Sequence, residues 1–187
     1  MFRTAPRRKP TVSRKELKPD GTDDQFRTMI HNLTTVSHRL QMNRSSHAAM
    51  LGMSGVQYTI LTAIAHLQGE TGVAVKDIAA HLHLSPSFVT METAKMVLIR
   101  VIGKRQDRHD RRRVQLTVSS RGWRLLDKIL PIQQPVNDVL FDGLSREDFD
   151  AFARIVATIA GNSDRAKATL ELLKSRGSRA RPRRLTE

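Results

Sequence analysis

Apolar residues recur at helical spacing from Thr22 to Ala49, with Phe26, Ile30, Leu33, Val36 and Leu40 on one stripe. The stripe fades toward Arg44-Ser45-Ser46, and Gly52 ends the segment. Ser54 is a candidate N-cap for a second helix carrying Val56, Ile60, Leu61, Ile64 and Leu67, which stops at Gly69. Val75 to Leu82 forms a short third helix with Val75, Ile78, Ala79 and Leu82 inward. His83-Leu84-Ser85 leaves room only for a tight turn. Ser85-Pro86 then opens a fourth helix, because serine accepts from an orphan N–H and proline has none to waste. Its inner face is Val89, Thr93 and Met96. Two short helices joined in this way predict a helix-turn-helix.

The pattern then changes period. Val101-Ile102 opens a short strand, Arg105 to Arg112 reads as a charged loop, and Val114, Leu116 and Val118 alternate with Gln115 and Thr117. This is a hairpin with a basic tip, so the segment reads as a winged helix. Ser119 caps a helix with Leu125, Leu126, Ile129, Val136, Val139 and Leu140, and Pro131 and Pro135 predict a kink or break in it. Ser145-Arg146-Glu147-Asp148 resembles a capping box. The helix after it carries Phe149, Phe152, Ile155, Val156 and Ile159, with a break expected at Asn162-Ser163 and a final short turn at Leu170, Leu172 and Leu173.

The expected fold is therefore mainly α (α+β): a winged helix-turn-helix with a two-stranded wing and a helical dimerisation region from both chain ends. Residues 1–21 form a disordered basic tail, 22–50 and 119–174 the helical dimerisation region, 51–118 the winged helix-turn-helix, and 175–187 a second disordered basic tail. The terminal helices carry apolar stripes with no second layer to fill them, which predicts a homodimer.

Composition sharpens this picture. The 187 residues hold 32 Lys+Arg against 18 Asp+Glu, a net charge of +14, and no cysteine. Residues 1–18 carry a net +6, residues 100–113 a net +5 and residues 174–187 a net +5, so the remainder is close to neutral. The central cluster lies between structured segments and presents fixed charge. Such a balance points to a polyanion, with nucleic acid the first candidate. Without cysteine there is no disulfide framework, thiolate zinc site or thiol switch. No apolar run approaches the roughly 20 residues that span a bilayer. Met1 to Pro10 is charged with no apolar stretch after it, so no secretory signal and no membrane partner are expected, and the location read is cytoplasmic.

Rival chemistries find little support. Of seven histidines, His81 and His83 diverge on one helix, and His31 and His38 share a face two turns apart. No Gly-rich phosphate loop, Gly-x-Ser-x-Gly elbow or His-Glu-x-x-His occurs, so neither an enzyme nor a cofactor is expected. Eight aromatic residues are few for stacking unpaired RNA bases.

Several strings, in order, resemble the MarR family of winged-helix transcriptional regulators over about residues 25–160. Leu51-Gly52-Met53-Ser54-Gly55-Val56-Gln57 is similar to the family's Leu-Gly-Leu-Thr-x-x-Gln at its second helix. Ile78 to Leu82 and Leu84 to Thr90 resemble its reading-head helices. Asp110-Arg111-Arg112 resembles its wing motif, and Val118-Ser119-Ser120-Arg121-Gly122 its Leu-Thr-x-x-Gly. The chain departs from the family at Arg100, where a glycine is usual, and at Met91, where an arginine is frequent.

On this reading the fourth helix presents a capped N-terminus to phosphate. Ser85 and Ser87 reach phosphate or base edges, Thr90 and Met91 touch thymine methyl groups, and Lys95 meets the backbone. Arg105 belongs to the charged stretch, and Arg108, Arg111 and Arg112 enter a narrow minor groove. Asp110 is expected to hold one of these arginines. The resemblance further implies a pocket between the dimer arms and the reading head for an aromatic carboxylate or phenolic effector, with His38, Arg39 and Tyr58 the candidates. The expected function is a sequence-specific double-stranded DNA-binding repressor, a homodimer on an inverted repeat, released by such a ligand. The alternatives are a metal-responsive regulator of the same fold or an RNA-binding winged-helix module.

Overall fold

The computed structural model describes residues 8–106 and 114–179. It divides at Gln134 and Pro135 into two compact units. Six α-helices and three strands are described: α1 (Asp24–Met50), α2 (Gly55–Leu67), β1 (Val73–Ala74), α3 (Val75–Leu82), α4 (Pro86–Leu98), β2 (Ile102–Gln106), β3 (Val114–Val118), α5 (Ser120–Leu140) and α6 (Arg146–Arg179). No single described helix is long and apolar enough to cross a membrane.

Helix starts follow local chemistry. The Ser54 hydroxyl accepts from the Gln57 N–H at 3.2 Å, and the Gln57 side chain accepts from the Ser54 N–H at 3.2 Å, a complete capping box on α2. At α6 the Ser145 hydroxyl accepts from the Asp148 N–H at 3.1 Å, while the Asp148 carboxylate accepts from the Ser145 N–H at 3.2 Å. The shorter aspartate therefore fills the role usually given to glutamate.

The first unit's core sits where α2, α3, α4 and the sheet meet. Ile60, Leu61, Ile64, Ile78, Val89, Met96 and Leu116 are each fully buried there. Burying side chains of this size contributes about 1.5–3 kcal/mol each. The sheet has the order β1-β3-β2 and is antiparallel throughout. Ile102 pairs with Val118 and Gln106 with Val114, which fixes the hairpin register. Leu116 and Val118 are buried as their alternation predicts, whereas Val114, the first residue of β3, stays 40% exposed.

Several expectations change. The sheet gains a third strand, β1, pairing Val73 with Leu116. Arg105 lies on β2 rather than in a loop. Pro131 and Pro135 lie within α5, which runs on to Leu140, and both are exposed. The break expected at Asn162-Ser163 is absent, since α6 is continuous to Arg179. The Ser163 hydroxyl donates back to the Ala160 carbonyl at 2.7 Å, and Arg165 donates to the Asn162 amide oxygen at 2.9 Å, so the turn keeps its polar groups satisfied in helical form.

The N-terminal stretch expected as a tail to residue 21 is described from residue 8 and carries one 3-10 turn, Lys15–Leu17. The buried Asp23 carboxylate accepts from the Thr11 N–H and hydroxyl, both at 2.6 Å, and from Arg27 at 3.0 Å. These bonds hold its carboxyl far below the usual carboxylate range, with the Thr11 hydroxyl the largest cause.

Candidate nucleic-acid interface

Helices α3 and α4 are joined by His83-Leu84-Ser85. His83 takes a left-handed conformation, φ 53°, that closes α3: its N–H reaches the Ala80 carbonyl, and the Leu84 N–H reaches Ala79 at 2.9 Å. The chain then re-enters helix at Ser85, whose hydroxyl accepts from the Phe88 N–H at 3.3 Å, with Pro86 at the first helical position. That turn sets α4 on the body by one face. Val89, Glu92, Thr93 and Met96 are buried, while Ser85, Ser87, Thr90, Met91, Ala94 and Lys95 are exposed. Met91, 48% exposed, belongs to the outward face and not to the core.

The outward face is short, polar and uncharged at its N-terminal end. The Ser85 and Ser87 hydroxyls lie 3.2 Å apart, and the Thr90 hydroxyl donates to the Pro86 carbonyl at 2.8 Å. Lys95 is the cation of this face. Its ammonium donates to Glu92 at 2.7 Å, and Glu92 also accepts from the Gln57 amide at 3.3 Å. The Lys95 hydrogen bond holds the Glu92 carboxyl below its ordinary range against the opposing effect of burial. The sequence does not single out Glu92, and it marks Gln57 only as part of the string that opens the second helix, not as a site residue. The signal lies in the spacing 89, 92, 93, 96, which puts a carboxylate on the inner face.

At the other end of α4 the chain closes with Arg100, φ 59°. The Arg100 N–H bonds to Val97 at 2.9 Å and the Val101 N–H to Met96 at 3.1 Å, the Schellman pattern that glycine usually completes. Arginine here accepts a left-handed backbone and keeps the geometry that glycine gives. The wing follows, with Lys104 and Arg105 exposed on β2 and Arg105 donating to the Thr71 carbonyl at 3.3 Å. Arg108, Asp110, Arg111 and Arg112 lie outside the described residues.

The three candidate effector residues differ in burial. His38 and Arg39 are exposed on α1, whereas Tyr58 is buried on α2. The cation over the Tyr58 ring is Arg44, 5.7 Å from its centroid, and His47 meets the ring edge-on at 6.0 Å. The Tyr58 hydroxyl donates to Gln133 at 3.5 Å. Burial raises the Tyr58 pKa, with Arg44 opposing, and lowers that of His47, with Arg44 assisting. Beside this cluster a cleft of about 530 Å³ is lined by residues that include Gln41, Arg44, Ser54, Thr59, Leu82 and Leu84. Among the described residues no group of three or more His, Asp or Glu is placed to hold a metal ion.

No protein-family profile and no curated protein sequence matches the chain. Solved structures do match. A MarR protein from Peptoclostridium difficile aligns at 15% identity and TM-score 0.62, over 90% of this chain and 99% of its own. The transcriptional regulator SlyA aligns at 14% identity and TM-score 0.62, over 76% of this chain and 98% of its own. MepR of S. aureus, solved as a complex with DNA, aligns at 17% identity and TM-score 0.58, over 71% and 96%. This chain therefore shares the winged helix-turn-helix fold of these proteins.

Proposed function

We propose that the chain is a MarR-type transcriptional regulator, a repressor that binds double-stranded DNA as a homodimer. The observation that carries this reading is the division of α4. Its inner face is locked into the core by Val89, Thr93 and Met96, and its outer face offers Ser85, Ser87, Thr90, Met91 and Lys95. A helix so held fits the major groove, which admits one α-helix. The capped N-terminus directs backbone N–H groups and a positive dipole end toward phosphate. Arg105 on β2 adds a cation, and Arg108, Arg111 and Arg112, which follow it in the sequence, add three more to the proposed interface. The same fold occurs in MepR, whose structure contains DNA.

Exposed stripes support the dimer. Met29, Ile30, Leu33, Val36 and Leu40 on α1, and Phe149, Phe152, Ile155, Val156 and Ile159 on α6, are solvent-facing in the single chain. Stripes of this kind bury their faces on a partner, and a second copy supplies the matching surface. Two-fold symmetry then sets two copies of α4 about one helical turn apart, roughly 34 Å, and the operator is an inverted repeat. An effector with a carboxylate or phenolate is proposed for the region of α1 and α2, where Arg44 supplies the cation beside Tyr58 and the cleft. His38 and Arg39 remain candidates at its α1 side. Release requires that the effector favour a spacing of the two heads that DNA does not fit.

Fluorescence anisotropy with duplex DNA across a salt series tests the reading. Neutralising roughly 6–10 phosphates per dimer gives a log–log slope of about −5 to −9. A salt-independent affinity, or preferential capture of single-stranded RNA in competition, refutes it.

A further inference from the structure

The inner face of a reading helix is expected to be apolar, and Val89 and Met96 meet that expectation. Glu92 does not. It is 7% exposed, on the same face, in a chain of net charge +14. Burial removes it from base contact, so it is no cytosine reader. A buried carboxylate persists only when its oxygens are satisfied. One Glu92 oxygen accepts from the Lys95 ammonium at 2.7 Å and the other from the Gln57 amide at 3.3 Å. The Gln57 carbonyl oxygen in turn accepts from the Ser54 N–H, which fixes the orientation of the amide. A polar chain thus runs from the start of α2, through Gln57 and Glu92, to the one cation on the described outward face of α4.

We propose that Glu92 is a positioning residue for DNA reading: it holds the Lys95 ammonium at one place beside the outward face and withholds that charge from indiscriminate phosphate attraction. The inference rests on the reading that α4 enters the groove. A lysine ammonium is a compact charge on a flexible four-carbon stem. Unpaired, it follows whichever phosphate is nearest and adds to binding of every sequence. Held by a buried acid, it is available only where a phosphate falls beside its fixed position, which the correct register provides. Glu92 therefore weakens non-specific binding more than operator binding and sharpens discrimination. A purely structural Glu92, joining α4 to α2 through Gln57, would alter thermal stability but neither the salt slope nor the operator preference.

The full chain, its Glu92→Gln and Lys95→Met variants and the double variant are titrated by anisotropy against a selected operator duplex and a scrambled duplex of equal length, over a range of salt. Glu92→Gln keeps an acceptor for Gln57 and removes the charge. Its expected effect is roughly tenfold tighter scrambled-duplex binding at low salt, a slope steeper by about 2 per dimer, and a smaller operator-to-scrambled ratio. In the Lys95→Met background these changes disappear. Lys95→Met alone loses operator preference with little change in the scrambled-duplex slope, which keeps the test open should Glu92→Gln fold poorly. An unchanged ratio and slope in Glu92→Gln, or the same changes without Lys95, overturns the proposal. If the unmodified chain does not distinguish the two duplexes, it is the DNA-reading function that fails, and the role of Glu92 falls with it.

Discussion

Gly122, near the start of α5, sits so close to Val101 that a Cβ at its position would overlap the Val101 carbonyl oxygen. The contact joins the first turn of α5 to the end of α4. Val101 closes α4 through its N–H to Met96, and its carbonyl accepts from the Ser119 N–H at 3.1 Å. The Ser119 hydroxyl donates to the Arg100 carbonyl at 2.7 Å and accepts from the Gly122 N–H at 3.0 Å. Helix α4 and the base of the β2–β3 hairpin are thus set by one small junction.

Gly122→Ala is expected to destabilise the chain by about 1–3 kcal/mol, toward the upper end because the obstacle is backbone and cannot rotate away. Thermal unfolding checks this. An unchanged melting temperature would show that the junction yields to an added methyl group.

Arg100→Gly works in the opposite direction. A left-handed arginine costs about 1–2 kcal/mol, and glycine's larger unfolded-state entropy returns roughly 0.5–1 of that. The variant should be more stable by up to about 1 kcal/mol, a rise in melting temperature of roughly 2–4 °C.

His47 predicts a pH dependence. Burial holds its folded pKa below the ordinary value, so below about pH 6.5 the unfolded chain binds more protons than the folded one. Stability is complete above that pH and declines as pH falls toward the folded pKa. Melting temperatures at pH 7.5, 6.5 and 5.5 should fall in that order, and His47→Gln should flatten the series. The carboxylates Asp23 and Glu92 are also held low, but their contribution is lost only in the more acidic carboxylate range.

At the wing, changing both Arg111 and Arg112 to alanine should weaken binding to operator and scrambled duplexes alike. The salt slope should flatten by roughly 0.9 for each phosphate that is no longer neutralised. A gel-shift titration with unchanged affinity would remove these arginines from the interface.

Much of the helix-turn-helix is legible in the sequence because its signals are local. Val75 to Leu82 and Ser85-Pro86 combine a short apolar stripe with a stop and a cap, and α3 and α4 fall where those residues put them. β1 is not legible, since two residues carry no alternation and Val73 becomes a strand only by pairing with Leu116. The continuity of α6 through Asn162-Ser163 is hidden for a related reason. Both residues favour breaks, yet their side chains can bond within the helix they occupy. The Glu92–Lys95 pair is suggested by i, i+3 spacing, but the Gln57 contact joins residues 35 apart and needs the fold. The sequence groups Tyr58 with Arg39 as effector residues, whereas its neighbouring cation is Arg44. Periodicity places residues on a stripe but does not say which one meets a ring across two helices.

The central claim is that α4 and the wing of each subunit read double-stranded DNA. Selection of bound duplexes from a random pool by the full chain tests it most directly. The account predicts enrichment of an inverted repeat whose half-site centres lie about 10 base pairs apart. A pool that emerges without a shared sequence, or with one unsymmetrical site, would contradict it.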